Sequence, residues 1–235
     1  MPIGIIVNVL SLALGGLAGS LIGNKLSEEI KQQMNMIFGI CAMGMGIASI
    51  VLMKSMPAVV FAVIAGTIIG LFLKLGKGIE IFFKKTCLRM VKSDSQEMMS
   101  LFITAVVLFC ASGTGIYGAL DSGMTGNHSV LIAKSVLDFF TAIIFASQLG
   151  KVVSLISIPQ FVIMIVLFLL AKVIFPMTNE TMILDFKACG GFILLATGFR
   201  MMKLRELPIA DMIPAMVLVM PISYVWTEIL LPLIG

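Results

Sequence analysis

Residues 110–141 read C-A-S-G-T-G-I-Y-G-A-L-D-S-G-M-T-G-N-H-S-V-L-I-A-K-S-V-L-D-F-F-T, and this run decides the class of the chain. An apolar approach from Leu101 to Phe109 carries into Cys110-Ala111-Ser112-Gly113-Thr114-Gly115, so a glycine- and hydroxyl-rich break falls inside a hydrophobic segment. The next apolar segment, 129–149, holds Lys134 and Asp138. Both segments are long enough to cross a bilayer, which takes about 20 mostly apolar residues. Polar groups at that depth are costly, so they have a task or a partner. At a rise of about 1.5 Å per residue, Ser112 lies roughly 20 Å into its span, past the midplane. Irregular backbone there survives only when buried in protein or lining a watery cavity. The freed backbone groups, with the Ser112 and Thr114 hydroxyls, can then coordinate a solute or an ion. Lys134 and Asp138 are four residues apart and share one helical face. Asp138 is about 14 Å from the helix start, near mid-bilayer, where an isolated charge costs at least about 2.5–3.5 kcal/mol. The candidate substrate-binding set is therefore Ser112, Gly113, Thr114, Gly115, Lys134, Ser135, Asp138 and Thr141. Asp138 is the candidate coupling-ion group and Lys134 its counter-charge. The alternative is a neutralised structural pair.

Composition agrees with a lipid setting. Of 235 residues, 60% are hydrophobic and 12% charged, where soluble domains carry roughly 25% charged residues. That much charge cannot cover a soluble surface of this size. The reading is an all-α polytopic protein forming a single membrane domain over 1–235. Eight spans are expected, near 3–23, 35–53, 57–74, 99–120, 129–149, 152–175, 184–202 and 212–233. Helices 1–3 occupy 1–74, a connector 75–98, the central motif 99–150 and the last three helices 151–235. The first span has no positive flank and no A-x-A site, so it reads as a retained helix and not a signal peptide. The net charge of +4 sits in short loops rather than along a polar face, which argues against nucleic acid. Cys41, Cys87, Cys110 and Cys189 lack C-x-x-C spacing, and His128 is the single histidine. No disulfide, metal site or cofactor is expected. An enzyme is not expected either, because no intramembrane histidine can serve Ser112. A Ser112–Lys134 dyad is the one catalytic arrangement the sequence would allow. There is no P-loop, so ATP-driven transport would need a partner.

Loop charge sets the orientation. Lys25, Lys31, Lys74, Lys77, Lys84, Lys85, Arg89, Lys92, Lys151, Arg200, Lys203 and Arg205 fall on one side, against Lys54, Lys172 and Lys187 on the other. Cytoplasmic loops carry the basic excess, which places both termini outside and the 75–98 connector inside. Between the third and fourth spans, Ile79, Phe82, Phe83 and Met90 recur at helical spacing among Lys84, Lys85, Arg89 and Lys92. That pattern is an amphipathic helix lying in the cytoplasmic interface against anionic lipid headgroups. Gly15, Gly19 and Gly23 form a four-residue ridge on the first span. Such a ridge serves either packing within the chain or a homodimer face. Asn8 faces a pathway or bonds a neighbouring backbone. The connection Asp121–His128 is either a re-entrant cap or an exposed loop. Pro159 and Gln160 mark the sixth span, Gly190 and Gly191 the seventh, Pro214 and Pro221 the eighth, with Trp226 as an interfacial anchor. Gly39–Pro57 and Gly190–Pro208 place glycine and proline alike over the same length, with Lys54 against Arg205. Either this is chance, or helices 1–3 recur inverted as helices 6–8, a common transporter plan.

The wording V-L-F-C-A-S-G-T-G-I from Val107, with G-A at Gly118, G-M-T-G at Gly123, L-I-A-K-S at Leu131, D-F-F-T-A at Asp138 and S-I-P at Ser157, resembles the YqgA/YdfK-like bacterial membrane proteins. The resemblance extends to G-G-x-x-G at Gly15 and L-L-A-T-G from Leu194 to Gly198. It implies a bacterial inner-membrane protein and supplies no substrate. The residues themselves favour a secondary transporter or exporter of a small polar or ionic solute. A passive channel lined by the same motif is the alternative, as is a non-transporting scaffold or sensor subunit.

Overall fold

A computed structural model of the chain describes residues 1–22, 27–79, 81, 102, 105–106, 108–110 and 112–234. Eight helices organise it: α1 (Ile3–Ile22), α2 (Glu28–Ile50), α3 (Met56–Leu73), α4 (Gly113–Thr125), α5 (Ser129–Leu149), α6 (Ser157–Ile174), α7 (Glu180–Met201) and α8 (Ile213–Val225). There is no strand among the described residues, and the chain is an all-α polytopic membrane protein. Seven described stretches are long and apolar enough to cross a bilayer, the longest being Val152–Met177 and Ile209–Leu233. The remaining expected span, 99–120, crosses positions outside the described residues. So do Gly23 and, beyond Ile79, the amphipathic positions Phe82, Phe83, Lys84, Lys85, Arg89, Met90 and Lys92. Leu10, Leu14 and Leu17 on α1, and Phe61, Ile64 and Ile68 on α3, are exposed. A helix apolar on its outer face needs lipid as its solvent.

Local signals set the helix ends. Pro57 sits in the first turn of α3, where its missing N–H costs nothing. Ser112 caps α4, its Oγ accepting from the Gly115 N–H at 3.2 Å. Asn179 does the same for α7, accepting from the Met182 N–H at 2.9 Å. Helix α5 stops at Gly150, whose φ of 72° and ψ of −156° only glycine adopts without strain. The Asp121–His128 connection corrects both alternatives read from the sequence: residues 121–125 continue α4, and the link to α5 is only 126–128. Gly123 is there for contact rather than for a turn, since a methyl on it would lie 2.5 Å from the Phe168 carbonyl oxygen.

The described helices gather into two compact units: Met1–Ile37 with Lys77–Val173, and Phe38–Gly76 with Ile174–Gly235. In the first, α1 runs parallel to α5. Gly4 meets Leu131 and His128, Gly15 meets Phe139 and Ala142, and Gly19 meets Ile143 and Ala146. Gly15 and Gly19 of the glycine ridge are thus covered by α5 of the same chain, and a homodimer through these two would have to displace it. Helix α4 runs parallel to α6, with Gly115 at Met164 and Gly123 at Phe168 and Ala171. Leu12, Phe102, Phe109, Ala142, Val153 and Ile156 pack as one apolar cluster, and Ile5, Leu131, Met164 and Phe168 as another. In the second unit, α2 and α7 cross antiparallel with backbones almost touching. A methyl on Gly46 would lie 2.7 Å from the Gly191 oxygen, one on Gly191 2.6 Å from the Gly46 oxygen, and one on Gly198 2.6 Å from the Gly39 oxygen. Helices α3 and α8 are also antiparallel, with Gly66 against Ala215 and Gly70 against Asp211 on the turn that leads into α8.

Candidate functional site

Lys134 and Asp138 lie one turn apart on α5, and both are buried. The Lys134 ammonium donates to both carboxylate oxygens at 2.6 Å. Two further donors arrive from other helices. Asn8 Nδ2 on α1 donates to Asp138 Oδ2 at 2.9 Å, and Gln160 Nε2 on α6 donates to the same oxygen at 3.0 Å. Gln160 Nε2 also reaches the Phe109 carbonyl at 3.3 Å. Asn8 and Gln160 are both 0% exposed. Hydrogen bonds to a charged partner are roughly twice as strong as neutral ones, and four donor contacts converge on this carboxylate. The pair is electrically neutral but fully removed from solvent. It persists because the amides satisfy lone pairs that burial would otherwise leave empty.

The break in the fourth segment lies beside this cluster. Residues 108–110 are helical, Ser112 is extended (φ −70°, ψ 138°), and α4 begins at Gly113. A methyl on Gly115 would sit 3.1 Å from both Lys134 Cε and Ser112 Oγ, and 2.9 Å from Met164 Cε. The absent side chain lets the first turn of α4 lie close to the lysine stem, and a methyl there would press on three flexible side chains.

Of the residues singled out from sequence, Ser112, Gly115, Lys134 and Asp138 come together, with Gly113 opening α4 between them. Thr114 is buried on the same first turn. Ser135 is buried, but its hydroxyl turns back to the Leu131 carbonyl at 2.7 Å, so its donor is spent inside α5. Thr141 is buried one turn beyond, and no hydrogen bond joins it to the cluster. Asn8 and Gln160 were visible as lone amides on apolar spans, but their convergence on one oxygen was not. Their positions follow a pattern. The buried residues of α6, namely Ser157, Gln160, Met164, Phe168 and Ala171, match buried residues of α1, namely Ile5, Asn8, Leu12, Gly16 and Gly19, each pair the same distance apart in sequence. That register is one residue longer than the one that sets Gly39 against Gly190. It pairs Gly39 with Gly191 and Gly46 with Gly198, the same four glycines that form the α2–α7 crossing.

A second buried carboxylate was missed in the sequence, although an aspartate inside an apolar segment was a sufficient signal. Asp185 on α7 is 0% exposed. Its Oδ1 accepts from the backbone N–H groups of Lys54 and Ser55 at 2.8 Å each, and its Oδ2 accepts from Ser223 Oγ at 2.6 Å. It caps the amino end of α3 and joins the α2–α3 hairpin to α8.

The fold and this interior define a polytopic membrane protein with polar groups gathered at the buried carboxylates of Asp138 and Asp185. Residues 3–224 match the family described as "Protein of unknown function (DUF554)", and the chain belongs to that family. It is similar to "Uncharacterized protein YqgA" of Escherichia coli (strain K12), 43% identical over 97% of this chain and 98% of the relative. It is also similar to "Uncharacterized membrane protein YdfK" of Bacillus subtilis (strain 168), 24% identical over 92% and 93% of the two chains. No solved structure matches.

Proposed function

We propose that the protein is a secondary transporter or exporter of a small polar or ionic solute in the bacterial cytoplasmic membrane, with both termini outside. The observation that carries this reading is the buried Lys134–Asp138 pair, held by Asn8 and Gln160 beside the helix break at Ser112. A buried ion pair gives little net stability over an apolar core of the same shape, so its presence in a span asks for a use. A break at membrane depth supplies backbone groups that can meet a solute, and a neighbouring ionisable group can couple to an ion. The burial pattern shared by α1 and α6 supports inverted repeats, with α4 and α5 bringing the break and the pair to the place where the repeats meet.

In this reading Ser112, Gly113, Thr114 and Gly115 meet the solute, and Asp138 with Lys134 forms the coupling site. A passive channel would use the same residues without coupling. A Ser112–Lys134 hydrolase is disfavoured, because Lys134 is engaged by Asp138 and gives the serine no free base. The test is flux in proteoliposomes across a panel of labelled small ions and polar solutes, scored per folded molecule. Concentrative uptake that Asp138→Asn and Lys134→Ala each abolish supports the assignment, and normal flux in both variants sinks it. Flux that follows the membrane potential and ignores protonophore and sodium removal would indicate the channel.

A further inference from the structure

The site has two acceptors that nothing uses. Asn8 Oδ1 and Gln160 Oε1 are buried and accept no hydrogen bond. Each shares an amide carbon with the nitrogen that donates to Asp138 Oδ2, so each oxygen is the other arm of an amide already docked on that carboxylate. A buried acceptor left empty is costly, and two on amides that dock on one carboxylate from different helices are poorly explained as packing. The same three side chains thus carry a carboxylate and two unused amide oxygens, which rotation of each amide would turn toward Asp138. That is an all-oxygen donor set, the kind hard cations take. The single carboxylate sets the charge: one positive charge neutralises it and two would leave an excess in a dry interior. In the structure that charge is the Lys134 ammonium, at 2.6 Å from both carboxylate oxygens.

We propose that Asp138, Asn8 and Gln160 form a binding site for a small monovalent cation of the alkali-metal type, and that the Lys134 ammonium holds that place in the closed form. Entry of the cation requires the ammonium to withdraw along its flexible stem, which lies against the first turn of α4 at Gly115. A half-turn of either amide about its last torsion replaces its nitrogen with its oxygen on the Asp138 side. At Gln160 that turn also gives up the Nε2 bond to the Phe109 carbonyl. This takes its location, but not the transport, from the function proposed above.

The experiment is binding to the purified full-length protein in detergent at one fixed pH and ionic strength. Li⁺, Na⁺ and K⁺ are compared with choline by calorimetry and by thermal unfolding. Wild type should bind one alkali ion weakly, and Lys134→Gln should bind it at least tenfold more tightly. In the Lys134→Gln background, Asn8→Ala and Gln160→Ala should each weaken binding about tenfold. If Lys134→Gln is unstable alone, alkali ions but not choline should restore its unfolding temperature, and Lys134→Gln with Asp138→Asn should be stable and indifferent to salt. The inference is overturned if no alkali ion binds or stabilises either wild type or Lys134→Gln. It is equally overturned if the amide variants bind like their parent, or if methylammonium binds Lys134→Gln and the alkali ions do not. Binding without flux in vesicles would sink the transport reading and leave the site standing. Flux that depends on Asp138 without alkali binding would do the reverse.

Discussion

At the scale of single residues, the buried carboxylates of Asp138 and Asp185 are satisfied in different ways. Asp138 is neutralised by a cation and steadied by amides, whereas Asp185 is held by two backbone N–H groups and a hydroxyl. The second arrangement reads as structural, and its variants should show it. Asp185→Ala strands the Lys54 and Ser55 N–H groups and the Ser223 hydroxyl, at about 1–3 kcal/mol for each group left unpaired. Asp185→Asn keeps one oxygen for the two N–H groups and an amide for the Ser223 oxygen. Thermal unfolding in detergent should therefore place Asp185→Ala well below Asp185→Asn. Equal losses would mean that the negative charge, not the hydrogen-bond geometry, is what the site needs. Lys134 facing Asp138 could be read from their four-residue spacing, because a helix dictates which neighbours meet. Asn8 and Gln160 could not be placed, because no local rule brings positions so far apart in the chain to the same oxygen.

At the scale of elements, the spans were legible because lipid imposes length and apolarity on any helix that crosses it. The break at Ser112 was legible because glycine and hydroxyl residues crowd there. The glycines elsewhere were harder to read. Gly123 looks like loop material beside Ser122 and Gly126, yet it is a contact point of α4 on α6. The α2–α7 crossing is the sharpest case, since each backbone oxygen fills the place where the other helix would carry a side chain. Gly46→Ala and Gly191→Ala must push the helices apart and should cost about 1–3 kcal/mol, the usual range for overpacking. Gly44 lies on the same helix with nothing within 4 Å of an added methyl. Gly44→Ala should be neutral or stabilising by up to about 1 kcal/mol, as alanine is the better helix former. Denaturation midpoints of the three variants check the contrast, and a loss at Gly44 equal to that at Gly46 would remove the crossing as the cause.

At the scale of the whole molecule, the direction of each helix pair can be compared with the alternation that charge predicts. Helix α1 is parallel to α5 and α4 to α6, whereas α2 opposes α7 and α3 opposes α8. These are the senses required if the chain crosses eight times and α4 completes the fourth crossing. In the proposed orientation, with the basic loops cytoplasmic, both ends lie outside. Alkaline phosphatase fused after Gly235 should be active and a fluorescent-protein fusion dark; the opposite pair of signals would invert the topology. The charge balance at Asp138 has a further consequence for energetics. Moving one elementary charge through a membrane potential is worth about 2.3 kcal/mol per 100 mV. Because the lysine and the aspartate cancel inside the protein, a carrier built on them would swing back empty without doing electrical work. Only its cargo would feel the voltage.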